Sequence, residues 1–87
     1  MMGGYGPENP IDAKVMSIAC SMKPQIEAQL GRQFSIFVPV SYSSQLVAGL
    51  NYKIRVAVDG GQNVYVTVYE ELPCNGSALS LTEATLA

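Results

Sequence analysis

Two periodicities divide the chain. Between Ile11 and Leu30 the apolar residues Ile11, Val15, Ile18, Ala19, Met22, Ile26 and Leu30 recur about every 3.6 residues, while Lys14, Ser17, Ser21 and Lys23 lie mostly off that stripe. The spacing predicts one amphipathic helix. Asn9 is a good N-cap, Pro10 suits the first helical position and Asp12 favours the positive end of the helix dipole, so the helix is expected to begin at Asn9. Gly31 supplies its stop. Pro24 removes a backbone donor and crowds the carbonyl four residues earlier, which predicts a kink within one helix rather than two helices.

Beyond Gly31 the period becomes two. Phe34, Ile36, Val38, Val40 and Tyr42 fall on one face of a first strand, with Ser35, Phe37, Pro39 and Ser41 on the other, and Pro39 places that strand near an edge. Leu50, Tyr52, Ile54, Val56 and Val58 alternate with Asn51, Lys53, Arg55, Ala57 and Asp59 in a second strand. Asp59, Gly60, Gly61 and Gln62 form a tight turn into a third, where Val64, Val66 and Val68 alternate with Tyr65, Thr67 and Tyr69. A short last strand is expected from about Ala78 to Thr82, with Leu79 and Leu81 facing inward. The fold class is therefore α+β: one long helix packed across a four- to five-stranded antiparallel sheet.

Composition narrows this further. A chain of 87 residues makes one domain, residues 1–87, with residues 1–8 read as a flexible N-terminal trunk. A net charge of -2 and five scattered basic residues leave no footprint for a phosphate backbone, so nucleic acid is not expected as a partner. The N-terminal residues have neither a basic flank nor an apolar core of a leader, and no run approaches the ~20 apolar residues of a membrane helix. A cytoplasmic location away from membranes is expected. Cys20 and Cys74 read as free thiols in a reducing compartment. With no histidine to serve as base beside a nucleophile or as a metal ligand, neither an enzyme nor a metal or other cofactor is expected.

Some segments are not explained by a core. Gln45-Leu46-Val47-Ala48-Gly49 sits where a polar hairpin connection belongs, yet it is apolar. It reads either as a strand end tucked into the core or as an exposed loop. Leu72-Pro73 reads either as a proline-terminated strand or as a second exposed loop, and Met1-Met2-Gly3-Gly4-Tyr5 either as a frayed end or as a third contact segment. In a meander the first and third connections lie at one end of the sheet, and the start of the helix returns to that end. The three segments are thus expected along one edge, and a clustered apolar surface of that kind suits protein binding.

On these residues the chain resembles the stefins, the type 1, single-domain cystatins without signal peptide or disulfides. The resemblance rests on a glycine near the N-terminus (Gly3 or Gly4), the Q-x-V-x-G hairpin Gln45 to Gly49, and the later Leu72-Pro73 pair. It extends to Lys23-Pro24-Gln25 in the helix and to Leu50-Asn51-Tyr52 after the hairpin. It implies a cystatin-like fold and a reversible, tight-binding, noncovalent inhibitor of papain-like cysteine proteases, of cathepsin L, B, H or S type and papain. The implied wedge comprises Met2, Gly3 and Gly4, then Gln45, Leu46, Val47, Ala48 and Gly49, then Leu72 and Pro73. The first hairpin would approach the catalytic cysteine, Leu72-Pro73 the leaving-group side, and Met2 the specificity pocket on the acyl side. A monomer is expected, with a strand-exchanged dimer as the alternative assembly. A cystatin-fold interaction module that binds a non-protease partner is the alternative function. Stefins continue past the last strand into a polar tail, whereas this sequence stops at Thr85-Leu86-Ala87, and Cys74 directly after the Leu-Pro pair is a second local difference.

Overall fold

The computed structural model describes residues 4–87. A single helix α1 (Ala13–Leu30) lies across an antiparallel sheet whose strands stand in sequence order: β1 (Asn9–Pro10), β2 (Phe37–Val47), β3 (Gly49–Val58), β4 (Gln62–Glu70) and β5 (Leu79–Leu86). The apolar stripe of α1 buries Val15, Ile18, Ala19, Met22 and Ile26 against Tyr52, Ile54, Val56 and Val58 of β3 and Val64, Val66 and Val68 of β4. The core-facing positions of β3 and β4 are those the alternation selects. Among the described residues, no helix is long and apolar enough to cross a membrane.

The helix starts later than the expected cap at Asn9. Asp12, not Asn9, is the N-cap: its Oδ1 accepts the Val15 backbone N–H at 2.8 Å, and its Oδ2 accepts the Tyr42 hydroxyl at 3.0 Å. Asn9 and Pro10 instead extend β1 along β2, opposite Tyr42 and Ser41. The Ile11 N–H donates to the Val40 carbonyl at 3.1 Å, which holds the chain extended up to the cap. Pro10 suits this edge because it has no N–H to satisfy. At the other end Gly31, in the left-handed region at φ 70°, donates to the Glu27 carbonyl at 2.9 Å and closes the helix. Pro24 lies within α1 without dividing it. Both Pro24 and Cys20, whose carbonyl loses its helical donor, are exposed, so water can serve that carbonyl.

The first long strand departs from simple alternation. Phe37 and Pro39 pair with Val58 and Val56 on the core side, but Ser41 pairs with Arg55, leaving Val40 as an extra residue. This bulge reverses the phase. Before it Val38 is exposed while Pro39 is buried; after it Tyr42 turns to the helix side, and Ser41 is buried on the outer face. The uniform face Phe34–Ile36–Val38–Val40–Tyr42 is therefore not formed: Ile36, Val38 and Val40 are exposed, and Phe34 is buried ahead of the strand. β5 likewise runs to Leu86, beyond the expected Thr82. A register shift at Thr82 keeps Leu81 before it, and Ala84 and Leu86 after it, opposite Val68, Val66 and Val64 of β4, while Leu79 pairs with Glu70.

The turn between β3 and β4 also organises the link from α1 to β2. Asp59 accepts backbone N–H groups from Ser35, at 3.0 Å, and Ile36. These two bonds hold its carboxyl below the usual 3.8, as the Val15 N–H and then the Tyr42 hydroxyl do for Asp12. A carboxylate with a depressed folded pKa stabilises the fold fully above its unfolded value and loses that contribution as pH falls through the folded value. Urea unfolding should therefore show a midpoint that drops on acidification from about pH 5 to about pH 2. Asp59→Asn and Asp12→Asn should each flatten that drop. An unchanged acid limb in both variants would mean these bonds do not couple folding to protonation.

Candidate functional site

The β2–β3 ladder continues to the tip of its hairpin. Gln45 pairs with Asn51, Leu46 with Leu50 and Val47 with Gly49, so Ala48 alone forms the turn. Leu46 is on the helix side of the sheet, yet it is 76% exposed and outside the core cluster. The exposed-loop reading of this segment holds for Leu46. Val47 is half-buried and Ala48 exposed, and Asn51 Nδ2 donates to Gln45 Oε1 at 3.4 Å across the base of the tip.

Gly49 adopts φ 124°, a backbone geometry that side chains disfavour. Space imposes a second requirement. A Cβ there would collide with the Glu70 carbonyl and lie 2.9 Å from both Cε1 and the hydroxyl oxygen of Tyr69. Tyr69 stands on the outer face of β4, leans across Gly49 and donates its hydroxyl to the Ala48 carbonyl. Sequence reasoning places Tyr69 on the wet face of its strand without a role. The signal was the neighbouring glycine, whose missing side chain makes the space the ring occupies.

The third connection is a tight turn. Glu71 N–H donates to the Ala78 carbonyl at 2.9 Å, and Asn75 and Ser77 N–H groups donate to the Leu72 carbonyl at 2.8 and 3.3 Å. Gly76, at φ 101°, closes the turn onto Pro73. Leu72 is 38% exposed, and Pro73 and Cys74 are exposed beside it. The two connections share a groove of about 280 Å³, lined by Leu46 and Gly49 of the first and by Leu72 and Pro73 of the second.

Lys14, from the first turn of α1, and Glu70 line the same groove. Lys14 Nζ lies 3.3 Å from Glu70 Oε1, which also accepts the Tyr52 hydroxyl at 3.2 Å. Tyr52 and then Glu70 push the lysine pKa up, so Lys14 is charged at neutral pH. Burial raises that of Tyr52, which stays a protonated donor. The ion pair lies at the base of both hairpins, with the Glu70 side chain largely buried and that of Lys14 exposed. Among the described residues no group of acidic or cysteine side chains is placed to hold a metal ion.

The N-terminal segment approaches from the edge of β2. Glu8 accepts the hydroxyl of Ser41, which is only 6% exposed, and lies 3.5 Å from Arg55 Nε. Lys53 Nζ sits 5.1 Å from the centre of the Tyr5 ring, and the Gly6 N–H donates to the Ser44 carbonyl at 3.0 Å. Asn9 lies opposite Tyr42 and Gly6 beside Ser44, so the segment read backwards climbs toward Gln45 and the hairpin tip. Gly4 is exposed, with open space around its Cα. Met2 and Gly3 lie outside the described residues.

Comparison with known proteins agrees with this architecture. The cystatin domain matches residues 3–86. A cystatin-B of Paralichthys olivaceus is 45% identical over 80 residues, covering 90% of this chain and 82% of its own length. Stefin-C of Bos taurus is 36% identical over 81 residues, covering 93% of this chain and 80% of its own. The leukocyte cysteine proteinase inhibitor 1 of Sus scrofa is 35% identical over 81 residues, covering 93% and 79%. With a domain match along nearly its whole length and relatives of this similarity, the chain belongs to the cystatins, a family of protease inhibitors rather than enzymes, and to their stefin branch.

Proposed function

We propose that this chain is a reversible, noncovalent inhibitor of papain-like cysteine proteases that fills the active-site cleft with the edge formed by its two hairpins and N-terminal segment. The observation that carries the proposal is the shared groove: two separate connections, each with an exposed leucine, meet at one end of the sheet. Contacts of this kind need shape and apolar burial, with no peptide bond presented for cleavage. The Sus scrofa relative is named as an inhibitor of cysteine proteinases, the broader class to which these targets belong. Gln45 to Gly49 would enter beside the catalytic thiol, and Leu72-Pro73 would cover the leaving-group side. Met2 would enter the acyl-side specificity pocket, with Gly3 and Gly4 allowing the chain to bend away from catalytic geometry.

The targets in this reading are papain and enzymes of cathepsin L, B, H or S type, met in the cytoplasm by a monomer. Cys20 and Cys74 are unpaired and exposed, a state that suits a reducing compartment.

Inhibition kinetics test the reading in two ways. Leu46 is so exposed that Leu46→Asp should leave thermal stability within about 0.5 kcal/mol of the parent. In the complex the same change sets an unpaired charge in an apolar contact and should weaken inhibition of papain by about 2–4 kcal/mol, roughly 30- to 1000-fold. Full inhibition by a folded Leu46→Asp protein would remove the first hairpin from the interface. Because no attack by the thiol is required, papain carrying a small alkyl cap on its catalytic cysteine should still bind the chain in calorimetry. Loss of all binding to the capped enzyme, with tight binding to the free one, would refute a noncovalent wedge.

A further inference from the structure

The backbone of Tyr69 is accounted for by its ladders, opposite Asn51 of β3 and Ser80 of β5. Its side chain does something else. The hydroxyl donates to the carbonyl of Ala48, and the ring edge fills the space that a side chain at residue 49 would need. Both contacts fall on the turn joining β2 to β3. From the same residue the chain runs through Glu70 and Glu71 to Leu72, three residues or roughly 10 Å of extended backbone. One tyrosine thus grips the tip of the first hairpin from the strand that leads into the second.

We propose that Tyr69 is a positioning residue for inhibition, a brace that fixes the turn at Ala48 relative to Leu72 before any protease binds. This rests on the reading of the edge as a protease-binding surface. The physical effect is preorganisation. A turn projecting past the ladder's end can open locally without unfolding the sheet, so the hydroxyl bond should add little to global stability. A loose turn must instead be ordered on binding, and that cost appears in the affinity. Losing one such hydrogen bond corresponds to about a 2- to 10-fold weaker complex.

Tyr69→Phe keeps the ring and deletes only the donor. Thermal unfolding should be unchanged, amide exchange at residues 46–49 of the free protein should accelerate, and release from papain should quicken about 2- to 10-fold at an unaltered association rate. Tyr69→Leu, which also empties the space beside Gly49, should move exchange and release further the same way. A Tyr69→Phe protein with parental tip exchange, or one with faster exchange but parental release, would overturn the proposal. The two readings fail differently: a parent chain that inhibits no papain-like enzyme sinks the functional assignment, and this proposal with it. A parent chain that inhibits papain, beside a Tyr69→Phe variant with parental tip exchange or release rate, sinks the brace alone.

Discussion

The ladder between β3 and β4 runs from Leu50 opposite Glu70 to Val58 opposite Gln62 with no break in register, unlike those on either side of it. Its core face is Tyr52, Ile54, Val56 and Val58 against Val64, Val66 and Val68, and the stripe of α1 closes over it. β-branched residues pack well on such a pleated surface, and no one-residue slip is tolerated, because it would turn every valine to water. Gly49 opens β3 at the end where Glu70 closes β4. The two hairpins therefore leave from the same end of one rigid pair of strands. Their spacing is a property of the core, set far from any contact with a partner.

The outer strands take up the slack. Val40 in β2 and Thr82 in β5 are each inserted against a regular neighbour, and each insertion changes which side chains face the helix. In β2 the change turns Ser41 to the outer face, where Glu8 and Arg55 meet it. The bulge thereby builds the seat on which the N-terminal segment docks. The same irregularity that adapts the strand to the helix on one face serves the edge on the other.

These two bulges mark the limit of what can be read from residue order. The stripe of α1, the alternation of β3 and β4 and the glycine stop at Gly31 are legible because each is a local pattern with a single solution. The start of α1 is not, because Asn9 and Asp12 are both good caps and the choice falls to the Tyr42 hydroxyl and to the Ile11–Val40 bond, partners distant in sequence. Nor is the phase of β2, since Phe34 to Tyr42 alternate correctly in either register until Val40 is known to be extra. At the edge, the meander alone brings Gln45–Gly49 and Leu72–Pro73 together. Tyr69 escapes because a tyrosine on the wet face of a strand looks ordinary until its ring is seen over Gly49.

The three segments of the edge are anchored by different bonds. The first hairpin is paired up to Val47 opposite Gly49 and gripped by Tyr69, so it offers Leu46 to solvent from a fixed frame. The second turn has its own backbone bonds around Pro73 and needs little help from the core. The N-terminal segment is tied at Glu8 and Gly6, while Gly4 stands in open space. A partner that meets the two hairpins finds surfaces already held by backbone hydrogen bonds and loses little conformational entropy there. In the proposed complex, a side chain delivered by the N-terminal segment would add affinity in proportion to the apolar surface it buries in the partner's pocket.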